Sequence, residues 1–184
     1  MSSARAFSPS PTLAPWAEIV PGAGPMTAED LLALQDDGSW RYEVVEGVLF
    51  RVAGSGQEAT TIGGIIFGML FAHVYPRRLG ILTPANGVYT FPGAETGLLP
   101  DIGFYVADRR SLIADRTKPI PFAPDLAVEV ASPTQRTHEL AAMAMLYLRG
   151  GTRLSGPSGP DTSASTSDGL GMSRPPPRSA AATR

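Results

Sequence analysis

Only the middle of this 184-residue chain is patterned to fold. Residues 155–184 hold seven serines and five prolines, and Leu170 and Met172 are their only large apolar side chains. A segment so poor in apolar surface cannot offset the entropy of ordering it. Residues 1–25 carry Pro9, Pro11, Pro15, Pro21 and Pro25 without periodicity and read as a mobile leader. The expected division is a disordered leader over 1–25, one folded domain over 26–154, and a disordered tail over 155–184. That length suits a single domain.

Within the folded part, Thr27 followed by Asp30 and then Leu31, Leu32 and Leu34 signals a capped helix. The run Trp40 to Val52 is aromatic and β-branched and breaks at Glu46-Gly47, which predicts a tight hairpin. From Glu58 to Tyr75, Ile62, Ile65, Ile66, Met69, Leu70 and His73 fall at helical spacing. Gly63, Gly64 and Gly68 weaken that helix or permit close packing. Short strands are expected near 81–83, 88–91 and 102–106. Asp125 to Val130 follows a Pro-rich loop and reads as a buried strand, and 134–149 as a second long helix ending at Gly150-Gly151. The class is α+β, a mixed central sheet flanked by helices.

Composition removes whole groups of function. Net charge is −2, and Lys118 is the only lysine among 15 basic residues, so binding nucleic acid by bulk positive charge is excluded, although a local basic groove is compatible. The absence of cysteine excludes disulfide scaffolds, zinc ribbons, thiol nucleophiles and iron–sulfur sites. His73 and His138 are the only histidines, so a metal would be held by oxygen, as magnesium, manganese or calcium are. The apolar stretch 62–75 is interrupted four times by glycine or histidine and is shorter than the roughly 20 residues of a membrane span. No secretory segment is evident at the N-terminus. A cytoplasmic protein is expected, without membrane contact.

Two acids sit where acids need a reason. Asp101 opens the strand Ile102 to Val106, and Glu129 interrupts the apolar run 126–130. A carboxylate in a buried strand needs a partner, a metal or a raised pKa. If the two strands are neighbours, both acids face one cleft and, with the Val130 carbonyl, can hold a divalent cation. The alternative is a Glu129 that faces solvent or pairs with an arginine. Other candidates are weaker. Gly54-Ser-Gly-Gln lacks the Lys-Ser/Thr of a P-loop and reads as a connecting loop. His73 reads as a packed residue, His138 as solvated, and Asp36-Asp37-Gly38 as a turn. Ser132-Pro133 reads as the start of a helix, with no triad partners beside it. Arg77-Arg78 and Arg109-Arg110 could touch a phosphate backbone, but isolated pairs read as solvated surface.

Five blocks in order, Met26-Thr-Ala-Glu-Asp-Leu-Leu, Arg41-Tyr-Glu-Val-Val-Glu-Gly-Val-Leu, Leu99-Pro-Asp-Ile, Pro124-Asp-Leu-Ala-Val-Glu-Val-Ala-Ser-Pro-Thr134 and Tyr147-Leu-Arg-Gly-Gly, resemble the restriction-endonuclease family of the Uma-two type. That family is a branch of the PD-(D/E)XK nuclease superfamily. The resemblance spans about 26–153 and implies a restriction-endonuclease-like fold and a Mg2+- or Mn2+-dependent endonuclease of DNA. It implies Asp101 and Glu129 as metal ligands with Val130, and Glu43 as a further acid near the cleft. A lysine that usually completes such a site falls at Met143, one helical turn before Tyr147, and a thioether neither carries charge nor orients water. A family histidine is replaced near Ala59. Lys118 lies in a loop with no physical reason to enter the site, and Arg136 or Arg149 would supply charge without transferring protons.

The family pattern continues past Arg153 into two strands that this chain lacks, replaced by Leu-Ser-Gly-Pro-Ser-Gly-Pro-Asp. Synonymous codons exist under which a shifted frame of residues 154–168 encodes an apolar strand, a Pro turn and an alternating strand. A frameshift near codon 154 is therefore expected, leaving an incomplete domain with an open sheet edge. The leading expectation is a weak or inactive endonuclease, with a homodimer allowed. The alternatives are a non-catalytic relic of the nuclease fold, or an interaction module whose open edge recruits another chain.

Overall fold

The computed structural model describes residues 14–34, 40–91, 95–132 and 135–158. In chain order the elements are β1 (Glu18–Ile19), α1 (Ala28–Ala33), β2 (Trp40–Val45), β3 (Val48–Ala53), α2 (Gln57–Arg77), β4 (Gly80–Pro84) and β5 (Tyr89–Phe91). They continue as β6 (Thr96–Leu98), β7 (Ile102–Val106), a 3-10 helix (Ala107–Leu112), β8 (Leu126–Val130), α3 (Thr137–Arg149) and β9 (Leu154–Ser158). The expected turn at Asp36-Asp37-Gly38, residues 133–134 and the tail past 158 lie outside the described residues.

The hairpin forms as its residues dictate. β2 and β3 pair from Trp40↔Ala53 to Val45↔Val48, so Glu46 and Gly47 alone make the loop. Both take positive φ, 50° and 78°, which a two-residue turn of matching twist demands and glycine meets without strain. Helix α1 starts at the anticipated capping box, where Thr27 N and Oγ1 donate to Asp30 Oδ2 at 2.7 and 2.8 Å.

The strands form two sheets rather than one, in the orders β1-β3-β2-β6-β5 and β4-β7-β8-β9. β6 was not foreseen; it joins β2 through the pair Val44↔Gly97. Buried Pro100 then follows. Proline cannot donate to a ladder, so the chain leaves the first sheet there and begins the second at β7. Helices flank this mixed α+β arrangement. The main core gathers Val45, Phe50, Phe91, Leu98, Met143 and Tyr147 with others, and a smaller one gathers Ala28, Leu31, Val44 and Leu49 beneath α1.

Both expected boundaries shift. Part of the supposed leader is built into the first sheet: β1 pairs with β3, Val20 N donates to Leu49 O at 2.9 Å, and Ala14 is fully buried. Prolines hide periodicity but do not prevent a short extended segment from lying along an edge. At the other end, Leu154–Ser158 forms β9, parallel to β8 from Leu126↔Leu154 to Val130↔Ser158. A parallel partner needs a crossover, and α3 supplies it. Pro157 is tolerated because β9 is an edge strand. The β8 edge expected to stand open is thus covered by backbone pairing.

Helix α2 is also more than the interrupted stretch anticipated. At 21 residues it is long and apolar enough, by length and composition, to cross a membrane, yet it packs on β4 and β8. His73, expected to be packed, is exposed.

Candidate active site

The β7–β8 ladder pairs Ile102 with Val128. Extending that register by one residue sets Asp101 opposite Glu129, so their side chains share a face. Asp101 is fixed further by the Val130 amide, which donates to its Oδ2 at 2.8 Å. From the other sheet, Arg41 and Glu43 are two apart on β2 and therefore project to one side. Arg41 Nη1 lies 2.6 Å from Asp101 Oδ1. Helix α3 closes the group, with the Tyr147 hydroxyl donating to Glu129 Oε1 at 2.7 Å. Glu43 is held by Trp16 Nε1 at 3.2 Å and by the Leu99 amide at 3.4 Å.

The cluster is buried and self-neutralising. Burial, then Asp101, pushes the Glu129 carboxyl up to about 8, against the opposing pull of Arg41. Burial likewise raises Glu43. It works against the charge of Arg41, but Glu43, Glu129 and Asp101 outweigh it and hold the guanidinium firmly protonated. Burial and the neighbouring Glu129 raise the Tyr147 phenol well above its usual range, so it remains a donor.

Two cavities of about 430 and 440 Å³ adjoin this cluster and share Arg41, Ser55, Asp101 and Val130 as lining. The first runs under α2 along Ala59, Thr60, Gly63 and Phe67. The second reaches Trp16, Glu129, Gln135 and Met143.

Residues 28–155 match the family model described as Uma2, Putative restriction endonuclease. The chain belongs to that family. No curated protein matches it. Among solved structures, a crystal structure described as a putative nuclease belonging to DUF820, from Anabaena variabilis, aligns with a TM-score of 0.58. The alignment covers 74% of this chain and 75% of that one at 22% identity, and it shows a shared fold.

In this Uma2-family chain the structure brings Asp101, Glu129 and Glu43 together around Arg41, with Val130 contributing its amide to Asp101. Met143 is buried on the cleft wall, one turn from Tyr147 as the helical spacing required. Ala59 lies in the first turn of α2 and lines the cavity beneath it. Gly54 to Gly56 is the connecting loop expected and borders the cleft. Ser132 also borders the cleft, its amide accepted by Gln135 Oε1 at 3.0 Å. Lys118 is remote, 3.2 Å from Glu29 Oε2 at the surface. Arg136, Arg149 and His138 line neither cavity, and His138 is exposed. Arg109, expected as solvated surface, instead bonds Asp125 at 3.1 Å and lies over the Phe122 ring.

Arg41 and Trp16 went unrecognised in the sequence. For Arg41 a signal existed: opposite charges two apart on a strand share a face, and Glu43 was already singled out. Trp16 carried none, because its partner is 27 residues away.

The donor chemistry suits a hard divalent cation, since Asp101 and Glu129 offer carboxylate oxygens on one face beside a cleft. Among the described residues no three His, Cys, Asp or Glu side chains converge as a ready ligand set. Arg41 stands at Asp101, where an added cation would have to displace it.

Proposed function

We propose that the chain is a divalent-metal-dependent endonuclease acting on DNA, with Asp101 and Glu129 holding Mg2+ or Mn2+ and Glu43 as a supporting acid. The observation that carries this reading is the placement of Asp101 and Glu129 side by side at a cleft, in a fold shared by a nuclease family. A divalent ion bound there supplies charge neutralisation on the phosphate and a water of lowered pKa.

The chain's own groups divide the remaining work. The guanidinium fork of Arg41 matches a phosphate oxygen pair but does not accept or release protons near neutral pH. Gly56 caps α2 without a side-chain hydrogen bond, and Ser55, Ala59 and Thr60 border the cavity there. The first-turn amides of α2 therefore favour a phosphate at that end. Tyr147 and Trp16 orient Glu129 and Glu43. Met143 offers neither charge nor a proton-transfer group where the family carries lysine, which makes turnover low.

The test has two stages. Mg2+ or Mn2+ should raise the melting temperature of the protein, and Asp101→Ala should abolish that rise. Supercoiled plasmid should then be nicked slowly by the native chain and faster by Met143→Lys. Metal binding without nicking in either protein would favour the second reading, a fold that retains nucleic-acid binding and has lost cleavage. The apolar Met143 in the cleft wall is what supports that alternative.

A further inference from the structure

The side of α2 turned away from the sheets is apolar, continuous and exposed. Ala59 and Val74 are the helix's buried residues, and the sheet-facing side meets β8 through Gly63, from which a built Cβ would lie 3.5 Å from Val130. The opposite stripe runs through Ile65, Gly68, Met69, Phe71, Ala72 and Tyr75, all exposed. Ile65 is 58% exposed, Met69 70% and Tyr75 70%. Phe67, Phe71 and Tyr75 stack in sequence along the helix, with centroids 6.2 and 4.9 Å apart. No charged residue interrupts the helix between Glu58 and Arg77.

We propose that this face docks against the same face of a second copy of the chain, two α2 helices crossing near Gly68. A charged partner would leave its charges unmatched on such a surface. The terminal segment 159–184 offers only Leu170 and Met172 as large apolar groups, too few to cover it. Ile65, Met69, Phe71 and Tyr75, each 45–70% exposed, form one contiguous apolar patch of the kind that marks an interaction surface. An isologous contact needs one patch that complements itself, and an uncharged aliphatic and aromatic face does so.

Gly68 agrees with this geometry. A Cβ added there would meet nothing within 4 Å, so packing within the chain does not require glycine at that position. It costs the helix about 1 kcal/mol relative to alanine. Its lack of a side chain makes a shallow trough between Ile65 and Met69 on one side and Phe71 and Tyr75 on the other. A second helix backbone can approach closely there.

Sedimentation velocity on the full chain from about 1 to 100 µM should show a monomer–dimer equilibrium in the micromolar range. Met69→Glu should weaken association at least tenfold while far-UV circular dichroism stays unchanged. Because the chain has no cysteine, Gly68→Cys gives a single thiol, and mild oxidation should convert it to a covalent dimer. Asp108→Cys, exposed on the 3-10 helix, should remain monomeric under the same oxidation. A native chain that stays monomeric throughout, or a dimer indifferent to Met69→Glu, overturns the proposal. So does a monomer that sediments with phosphatidylcholine vesicles, which would make lipid the occupant. None of these readouts depends on nuclease activity.

Discussion

Arg41 on β2 places its Nη1 2.6 Å from Oδ1 of Asp101, the acid at the head of β7. The pair joins the two sheets through their side chains, and it supplies the acidic cleft with a cation from within the chain. Their side chains are 22% and 16% exposed, so the interaction is largely shielded from water. Arg41 also pulls the carboxyl pKa values of Glu43 and Glu129 down, against the burial that raises them.

Removing the guanidinium should therefore be costly. Arg41→Met leaves the carboxylate of Asp101 without its partner in a largely shielded site. A loss of about 3 kcal/mol is expected, read by urea denaturation. Arg41→Met combined with Asp101→Asn should recover part of it, because one uncompensated charge goes as well. If Asp101 is a metal ligand, Mg2+ should raise the melting temperature of Arg41→Met by more than that of the native chain.

The raised carboxyl of Glu129 makes stability depend on pH with a definite sign. In the fold it holds its proton up to about 8, whereas the ordinary value is 4.5. Between those values the folded state binds more protons than the unfolded state, so stability falls as pH rises. The contribution is fully present below about 4.5 and is lost as pH passes through about 8. Glu43 is shifted in the same direction and adds to the slope. Melting temperature against pH in metal-free buffer should decline across this window, and Glu129→Gln should flatten the decline.

Tyr147→Phe isolates one hydrogen bond. Its hydroxyl donates to Glu129 at 2.7 Å and lowers the carboxyl's pKa against the pull of burial. The variant should lose about 1–2 kcal/mol and move the upper end of the pH decline still higher. An unchanged pH profile would mean that the hydroxyl does not act on Glu129.

Trp16 tests how far the domain extends toward the N-terminus. Trp16→Phe keeps most of the apolar bulk but deprives buried Glu43 Oε2 of its donor, with an expected loss of about 1–3 kcal/mol. A chain beginning at residue 26 would lose more, since β1, Ala14 and the Val20 hydrogen bond to Leu49 go with it. Denaturation midpoints of the two variants, compared with the native chain, check the order.

Local chemistry made much of this fold legible in advance. The Thr27–Asp30 cap, the Glu46-Gly47 turn, α2 and the strands β7 and β8 are written in neighbouring residues. The pairing of Asp101 with Glu129 followed once β7 and β8 were supposed adjacent. Met143 could be placed on the cleft wall because one helical turn separates it from Tyr147. Other features left no local trace. β9 is built from Leu-Ser-Gly-Pro-Ser, and only the free edge of β8 and the α3 crossover make a strand of it. β1 is two residues long among prolines, stabilised by β3. His73 lies at a spacing suited to either side of α2, and only the position of the sheets decides that it faces out.

By itself the sequence determined most of the helices and strands and singled out the two carboxylates, because caps, turns and side-chain spacing act over a few residues. Only the tertiary structure decided that Arg41 stands among the acids, that Trp16 reaches Glu43, and that one face of α2 stays bare. Those relationships join residues 27 to 60 positions apart or depend on which helix side meets a sheet. Spacing along β2 puts Arg41 beside Glu43, but its meeting with Asp101 follows from how the two sheets pack.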